Sequence, residues 1–470
     1  MLAALLAYSQ TLAFHWDEGF HLLAAEFIAR GRRPYLDFLF AQAPLNAYWN
    51  AAWFRVLFPS WRLAHALAAL ETWLALVLMA RYLLARFPVV EWRRAAALTG
   101  TVLFGLFNLT FTFGAIAQAY GFCLLMLVAA FRVAVVARER RGIFLALAAG
   151  ALAGCAVSAS LLTAAALPAL LLWLWWFNDA GNRWAKSAVF AVGAVLPAIP
   201  VLRLLAKGPG QVWFDLVQYH ALYRRVDWPG ATSHDIDVLS GWLQDTQQLI
   251  FLVLVLAGCV FFRRSGWRGA GRAEFLLCLW LSVAMAAQNA VAHPTFPQYF
   301  IFLVPFLTVP ACTGFYAALM RLKLAGPPER AVLVLGCFML LSLGRSFFYD
   351  RDANTWGQVV AAAAKVDHVT PPGAGLLAPE SIYFVTLRTP PPGLEFGFGQ
   401  KLDFGAQRNA LLHILPRAEV EREAKAGRFA TAAACDDDDQ VDRINQWNVY
   451  KQKAEVGNCT VFWQPAGAVR

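Results

Sequence analysis

The sequence predicts a polytopic α-helical membrane protein of about eleven transmembrane helices. Interfacial helices sit in its first outer loop, and a small C-terminal extracytoplasmic α/β domain ends the chain. Three observations carry this. The chain is 59% hydrophobic and only 15% charged, against roughly 45–50% and about 25% in soluble domains. Its apolar residues are gathered into long runs, and its mean hydropathy is +0.50. Its basic residues fall on alternate loops.

The long runs lie at roughly 61–85, 96–113, 117–137, 143–157, 160–177, 187–206, 248–262, 274–292, 299–319 and 331–348. Most approach the ~20 residues a helix needs to cross a bilayer core. The opening run, Leu2 to Phe14, is shorter and has no basic residues in front of it, unlike a secretory signal. It is read as the outer part of a first span.

With a cytoplasmic amino terminus, the inside loops carry Arg86, Arg93 and Arg94, then Arg138, Arg140 and Arg141, then Arg183 and Lys186. Arg263, Arg264, Arg268 and Arg272 follow, and finally Arg321, Lys323 and Arg330. The short outside loops near 114–117, 158–159 and 293–298 hold no Lys or Arg. This is the positive-inside pattern. The net charge of +10 is thereby accounted for by topology, and nucleic acid drops out as a partner. The localisation that follows is a multi-pass protein of the bacterial inner (plasma) membrane.

Three pieces then lie outside: 15–60, 207–246 and a tail from about 349 to 470. The division is a transmembrane domain over 1–348 and a soluble domain over 349–470. The tail turns polar, with "TPPGAG", "TPPPG" and "CDDDD". Short apolar runs at Ile382–Leu387 and Val461–Trp463 and a helix-like stretch Arg417–Ala426 mark it as α/β. Six of the eight cysteines fall in or beside spans as small core residues. Cys435 and Cys459 in the tail are either two thiols or, in an oxidising compartment, a disulfide. Asp436 to Asp439 lack the alternating spacing and glycine of a calcium loop, and a solvated turn is the reading adopted.

In the first outer loop, Phe20, Leu23, Phe27 and Ile28 share one helical face. Leu45 to Phe58 is apolar nearly all round, with Asn46 and Asn50 as a thin polar stripe and Trp49 and Trp53 suited to the headgroup level. Both are expected to lie in the interface. Val212, Leu216, Tyr219, Tyr223 and Val226 predict a further surface helix in the second loop. Together they make a half-apolar shelf with polar groups above it, suited to a substrate with its tail in lipid and its head in water.

"DEGFHLLAAEFIARGRRPYLDFLFAQAPLNAYW" followed by "SWRLAHAL" resembles the first outer loop and second span of the C-type glycosyltransferases, the superfamily of protein O-mannosyltransferases and lipid A aminoarabinose transferases. The turn and its sequel match at Gly31, Pro34, Tyr35, Asp37, Pro44, Leu45, Arg62 and Leu63. "HPTFPQYFIFLVPF" is similar to a later outer loop and span of the same superfamily. One departure is "AQAPL", where Gln42 and Ala43 stand in place of the basic residue and proline of the aminoarabinose transferases.

The resemblance implies transfer of a sugar from a polyprenyl-phosphate donor to a lipid, glycan or protein acceptor at the non-cytoplasmic face, with inversion. It places the catalytic acid signature on Asp17 and Glu18. A carboxylate can take the acceptor's proton, and two adjacent ones raise each other's pKa. Asp17 is the candidate base. Glu18 would orient it, hold the acceptor, or share a divalent cation (Mg²⁺ or Mn²⁺) with it.

The plainer alternative is that Asp17 caps the next helix and Glu18 is solvated. Asp37 is either a turn-former or a second acid. For the donor phosphate the candidates are Arg62, and Arg224 and Arg225 beside His220, because arginine grips phosphate through a planar fork. Contact with anionic headgroups is the alternative for the Arg224–Arg225 pair. His293 and Tyr299 bracket a proline-broken span entrance and would line the carrier's path. The reading of another class is a transporter or flippase. Such proteins carry charges in mid-span and interrupted repeats, whereas these spans are almost free of charge and Pro168, Pro197, Pro200, Pro305 and Pro310 form no obvious repeat.

Overall fold

A computed structural model describes residues 1–178, 181–323, 326–435 and 438–463. Asp436 and Asp437, half of the acidic run, lie outside the described residues. Among the described residues, seven helices are long and apolar enough to cross a membrane. They are Trp61–Arg86, Tyr120–Glu139, Arg183–Lys207, Thr246–Ser265, Gly269–Val291, Pro297–Leu322 and Pro328–Tyr349. The other apolar runs are shorter helices: Leu2–Thr11, Arg93–Gly105 with Asn108–Phe113, Phe144–Ala159, and Leu161–Trp176.

The chain forms two compact units. One contains Met1–Ala7, Ala66–Pro200 and Trp228–Asp352. Its helices approach closely where side chains are absent. A Cβ on Gly258 would lie 2.0 Å from the Pro310 carbonyl, and one on Gly314 would lie 1.9 Å from that of Leu254. Small residues at such crossings let helices pack when no water drives them together. Several of its buried charges sit near helix ends. Glu274 accepts from the Tyr82 hydroxyl (2.9 Å) and faces Arg86 (3.3 Å), which also pairs with Glu139 (2.6 Å). Lys186 donates to the Ala137 and Arg140 carbonyls at 2.8 and 2.6 Å.

The other unit contains Tyr8–His65, Val201–Asp227 and Ala353–Arg470. The first outer loop, part of the second and the tail therefore belong to one body. Helices Glu18–Ala29 and Leu45–Val56 fall where the sequence predicts them, but their faces differ from the expectation. Every residue from Glu18 to Ile28 is buried, as befits a helix apolar on nearly all sides. In Leu45–Val56 the predicted polar stripe points inward. Asn46 and Asn50 are buried, while Val56, Leu57 and Phe58 beyond them are exposed. The second-loop helix is present as Pro209–Trp213 running into a π-helix, Phe214–Tyr223.

The tail builds a four-stranded sheet in the order β1-β2-β4-β3, from β1 (Leu376–Leu377), β2 (Thr431–Cys435), β3 (Gln452–Val456) and β4 (Cys459–Trp463). Only β1 and β2 run parallel. Helix Arg417–Lys425 covers it, and Leu377, Leu394, Val420, Phe429, Ile444 and Phe462 form its core. The apolar run at 382–387 is helical, as Glu380–Thr386.

Cys435 and Cys459 face each other in the β2–β4 register and form a disulfide. Their separation of 24 residues corresponds to a loop-closure stabilisation of about 3 kcal/mol. Reduction, or Cys435→Ser, is expected to make the sheet region of the intact protein cleavable by protease at lower denaturant. An unchanged cleavage profile would contradict that.

Candidate functional site

The stretch "FHWDEG" is a tight turn. The Glu18 and Gly19 amides donate to the His15 and Trp16 carbonyls at 3.0 and 3.1 Å. Glu18 locks it. One of its oxygens accepts from the His15 amide at 2.6 Å, and the other meets Nε2 of His65, in the first turn of Trp61–Arg86. Both side chains are wholly buried. The His65 Nδ1 lies 2.5 Å from the Ser9 carbonyl. A carbonyl only accepts, so Nδ1 donates to it and Nε2 is left to face the Glu18 carboxyl. Glu18 is thus a buried anchor for the turn, and the solvated alternative is excluded.

Asp17 occupies the cap position of Glu18–Ala29 yet makes no side-chain hydrogen bond to that helix. The capping role is therefore not the one it plays. Asp17 is partly exposed. Its charge is felt by a second carboxyl, that of Glu380 at the start of Glu380–Thr386. Burial, with Asp17's charge adding to it, raises the Glu380 carboxyl above its usual range, against the opposing hydrogen bond from the Gly397 amide (2.6 Å). The two helices can meet because residue 19 has no side chain. A Cβ there would lie 2.8 Å from the Ser381 backbone nitrogen. Gly19→Ala is expected to cost about 1–3 kcal/mol by overpacking, read as a lower thermal midpoint; an unchanged midpoint would contradict this contact.

Asp37 takes the turn role. Arg33 holds it through two side-chain bonds of 2.6 and 3.0 Å and a backbone amide at 2.6 Å, and that contact keeps its carboxyl below the usual range. Arg32 donates to Glu395 (2.8 Å) and to the Asp37 carbonyl (2.5 Å). Arg62 is exposed, stacked over Trp61, and bonded to the Gln10 carbonyl at 3.3 Å. His220 bonds the Ala41 carbonyl at 2.8 Å, and burial with the neighbouring Arg224 charge lowers it to about 4. Arg224 is half-buried and its carbonyl accepts from Lys401, while Arg225 is exposed. Nearby Asp215 is buried, accepts from the Phe40 amide at 3.1 Å, and is raised well above its usual range by desolvation. His293 and Tyr299 belong to the other unit. There His293 pairs with Asp235, and the Tyr299 carbonyl accepts from Asn289 at 2.8 Å.

Two buried groups of Glu18–Ala29 tie stability to pH in opposite senses. Burial, with His15 contributing, lowers His21 to about 3. Its neutral form stabilises fully above about pH 6.5, and that contribution fades as pH falls toward 3. Burial raises Glu26 to about 7 despite the pull of Arg30. Its contribution is complete below about pH 4.5 and is lost as pH rises through 7. Thermal midpoints measured from pH 4 to 8 are expected to flatten on the acid side in His21→Leu and on the neutral side in Glu26→Gln.

A divalent cation at Asp17 and Glu18 does not fit these residues. Both Glu18 oxygens are engaged, and no group of three His, Cys, Asp or Glu side chains among the described residues is arranged to hold a metal. No step is routed through one.

Sequence reasoning missed His65, Glu380 and Glu395. Their partners are 47, 363 and more residues away or supplied by the tail, and no local spacing signals them.

No family model and no curated protein matches the chain. Solved structures do. The crystal structure of ArnT from Cupriavidus metallidurans bound to undecaprenyl phosphate is similar over 99% of this chain and 97% of its own, with a TM-score of 0.71 and 14% identity. The same protein in the apo state gives 96%, 93%, 0.66 and 14%. The fold of this chain is therefore shared with ArnT from end to end, and it is the polytopic fold that the first-loop resemblance implies.

Proposed function

We propose that the protein is a membrane glycosyltransferase of the bacterial inner membrane. It moves a sugar from a polyprenyl-phosphate donor to an acceptor at the extracytoplasmic face. The observation that carries this is the end-to-end likeness to ArnT, whose crystal structure holds undecaprenyl phosphate.

In this reading Asp17 takes the proton of an acceptor hydroxyl while that oxygen bonds the anomeric carbon. The anomeric carbon–oxygen bond breaks, its electron pair leaves on the phosphate, and the sugar is inverted. Three features support Asp17. Its carboxylate is not spent on capping, the residue is partly open, and the buried Glu18–His65 pair holds its turn still. Preorganisation of this kind lets a general base act without rearrangement. Positive charge for the departing phosphate comes from the outer arginines, with Arg224 and Arg225 ahead of Arg62, whose bond to Gln10 holds it at the helix start.

The test is turnover of defined polyprenyl-phosphate sugars by the reconstituted protein, with the product's anomeric configuration read by NMR. Release of polyprenyl phosphate with inverted product is expected. A retained configuration would refute direct displacement. Movement of intact donor across the bilayer without its consumption would instead indicate a flippase.

A further inference from the structure

A cavity of about 330 Å³ opens in the unit that holds Asp17, within the ~300–1,000 Å³ of ligand sites. One wall is Trp16 and Phe20, from the turn of Asp17 and the helix after it; the opposite walls come from the tail. Its chemistry is mixed in a particular way. Trp16, Trp447 and Phe398 offer half-open aromatic surfaces. Glu380 and Glu421 accept hydrogen bonds, Lys401, Arg417 and Arg443 donate them, and Gln400 and Gln440 do both. Ser381, also in the wall, has a buried hydroxyl without a hydrogen-bond partner among the described residues.

Different ligands would need different linings. A lipid tail wants no charges, because each unpaired polar group it covers costs desolvation. A bare phosphate wants cations without carboxylates beside them. A saccharide presents alternating donors and acceptors around its rim and apolar C–H faces above and below the ring. Aromatic planes interleaved with carboxylates, guanidinium groups and amides match that surface. Trp16 immediately precedes Asp17, and Ser381 packs against Gly19 two residues after it, so this lining adjoins the Asp17 turn.

We propose that this cavity is the acceptor site and that the acceptor is a saccharide, bound by stacking on Trp16 and Trp447 and presenting one hydroxyl to Asp17. This rests on the glycosyltransferase reading and narrows it from lipid, glycan or protein to a glycan.

The experiment is ligand-observed NMR on the full-length protein in nanodiscs. The probes are neutral, amino and uronic-acid oligosaccharides, with hydroxyl-bearing peptides as the competing class. Donor turnover is measured on the same samples. At least one oligosaccharide class is expected to bind. Trp447→Ala should weaken it at least tenfold and Trp447→Phe should restore most of the loss, with Gln440→Leu as an independent probe should Trp447→Ala misfold. Asp17→Asn should still bind.

Binding of peptides alone, or of nothing up to millimolar concentration, overturns the proposal. So does saccharide binding that neither Trp447→Ala nor Gln440→Leu changes. Transfer of sugar to a peptide would keep the enzyme reading and remove the saccharide. Saccharide binding without consumption of any donor would instead remove the enzyme reading and, with it, the acceptor role.

Discussion

Asp17→Asn is expected to lower sugar transfer by about 10²–10⁴-fold, the usual worth of a positioned general base, while binding of the polyprenyl-phosphate donor is retained. Asparagine keeps the size and the backbone of the turn but cannot accept the acceptor's proton. The loss should therefore fall on kcat, not on the donor's KM. Glu380→Gln provides a second reading of the same site. It removes a carboxyl whose own titration feels Asp17's charge but leaves the base in place, so it should cost transfer far less than Asp17→Asn. A full-strength Asp17→Asn enzyme would place the base elsewhere.

His65→Ala should behave quite differently. It leaves the Glu18 carboxyl buried without its partner, and breaking a buried ion pair from one side costs about 3–5 kcal/mol. That is a large share of the stability of a typical domain, about 5–15 kcal/mol. The expected result is a strongly lowered thermal midpoint and loss of transfer through loss of the turn. The double variant Glu18→Leu/His65→Leu should recover much of the midpoint, because neither charge is then stranded, yet transfer should stay impaired while Asp17's turn lacks its anchor. Equal midpoints for the parent and His65→Ala would show that the pair carries no structural weight.

What the sequence made legible follows from which forces act locally. Each long apolar run became helical because composition alone decides that a stretch such as Thr246–Ser265 or Pro328–Tyr349 buries its backbone in hydrogen bonds. The loop helices Glu18–Ala29 and Leu45–Val56 were legible within two residues of their ends for the same reason.

Which way their faces turn was not legible. Asn46 and Asn50 look like a water-facing stripe by spacing, but both are buried while Val56, Leu57 and Phe58 at the helix end are left exposed. Asp17 and Glu18 stood out as an adjacent acidic pair, and adjacency misled about their relation. Glu18 turns inward to His65, and the carboxyl that responds to Asp17 is Glu380. The tail folds into one unit with the first outer loop and part of the second, a long-range association with no periodic signature. Asp37 illustrates the opposite case, since its turn with Arg33 is only four residues long and the turn-forming alternative was visible from the start.

The most direct test is transfer of radiolabelled sugar by membranes supplied with a panel of polyprenyl-phosphate sugars, comparing parent, Asp17→Asn and Glu18→Gln at matched expression. The account predicts transfer by the parent from at least one donor and its collapse in Asp17→Asn. Equal transfer by all three would contradict the role given to this turn, and no transfer from any donor would contradict the enzyme itself.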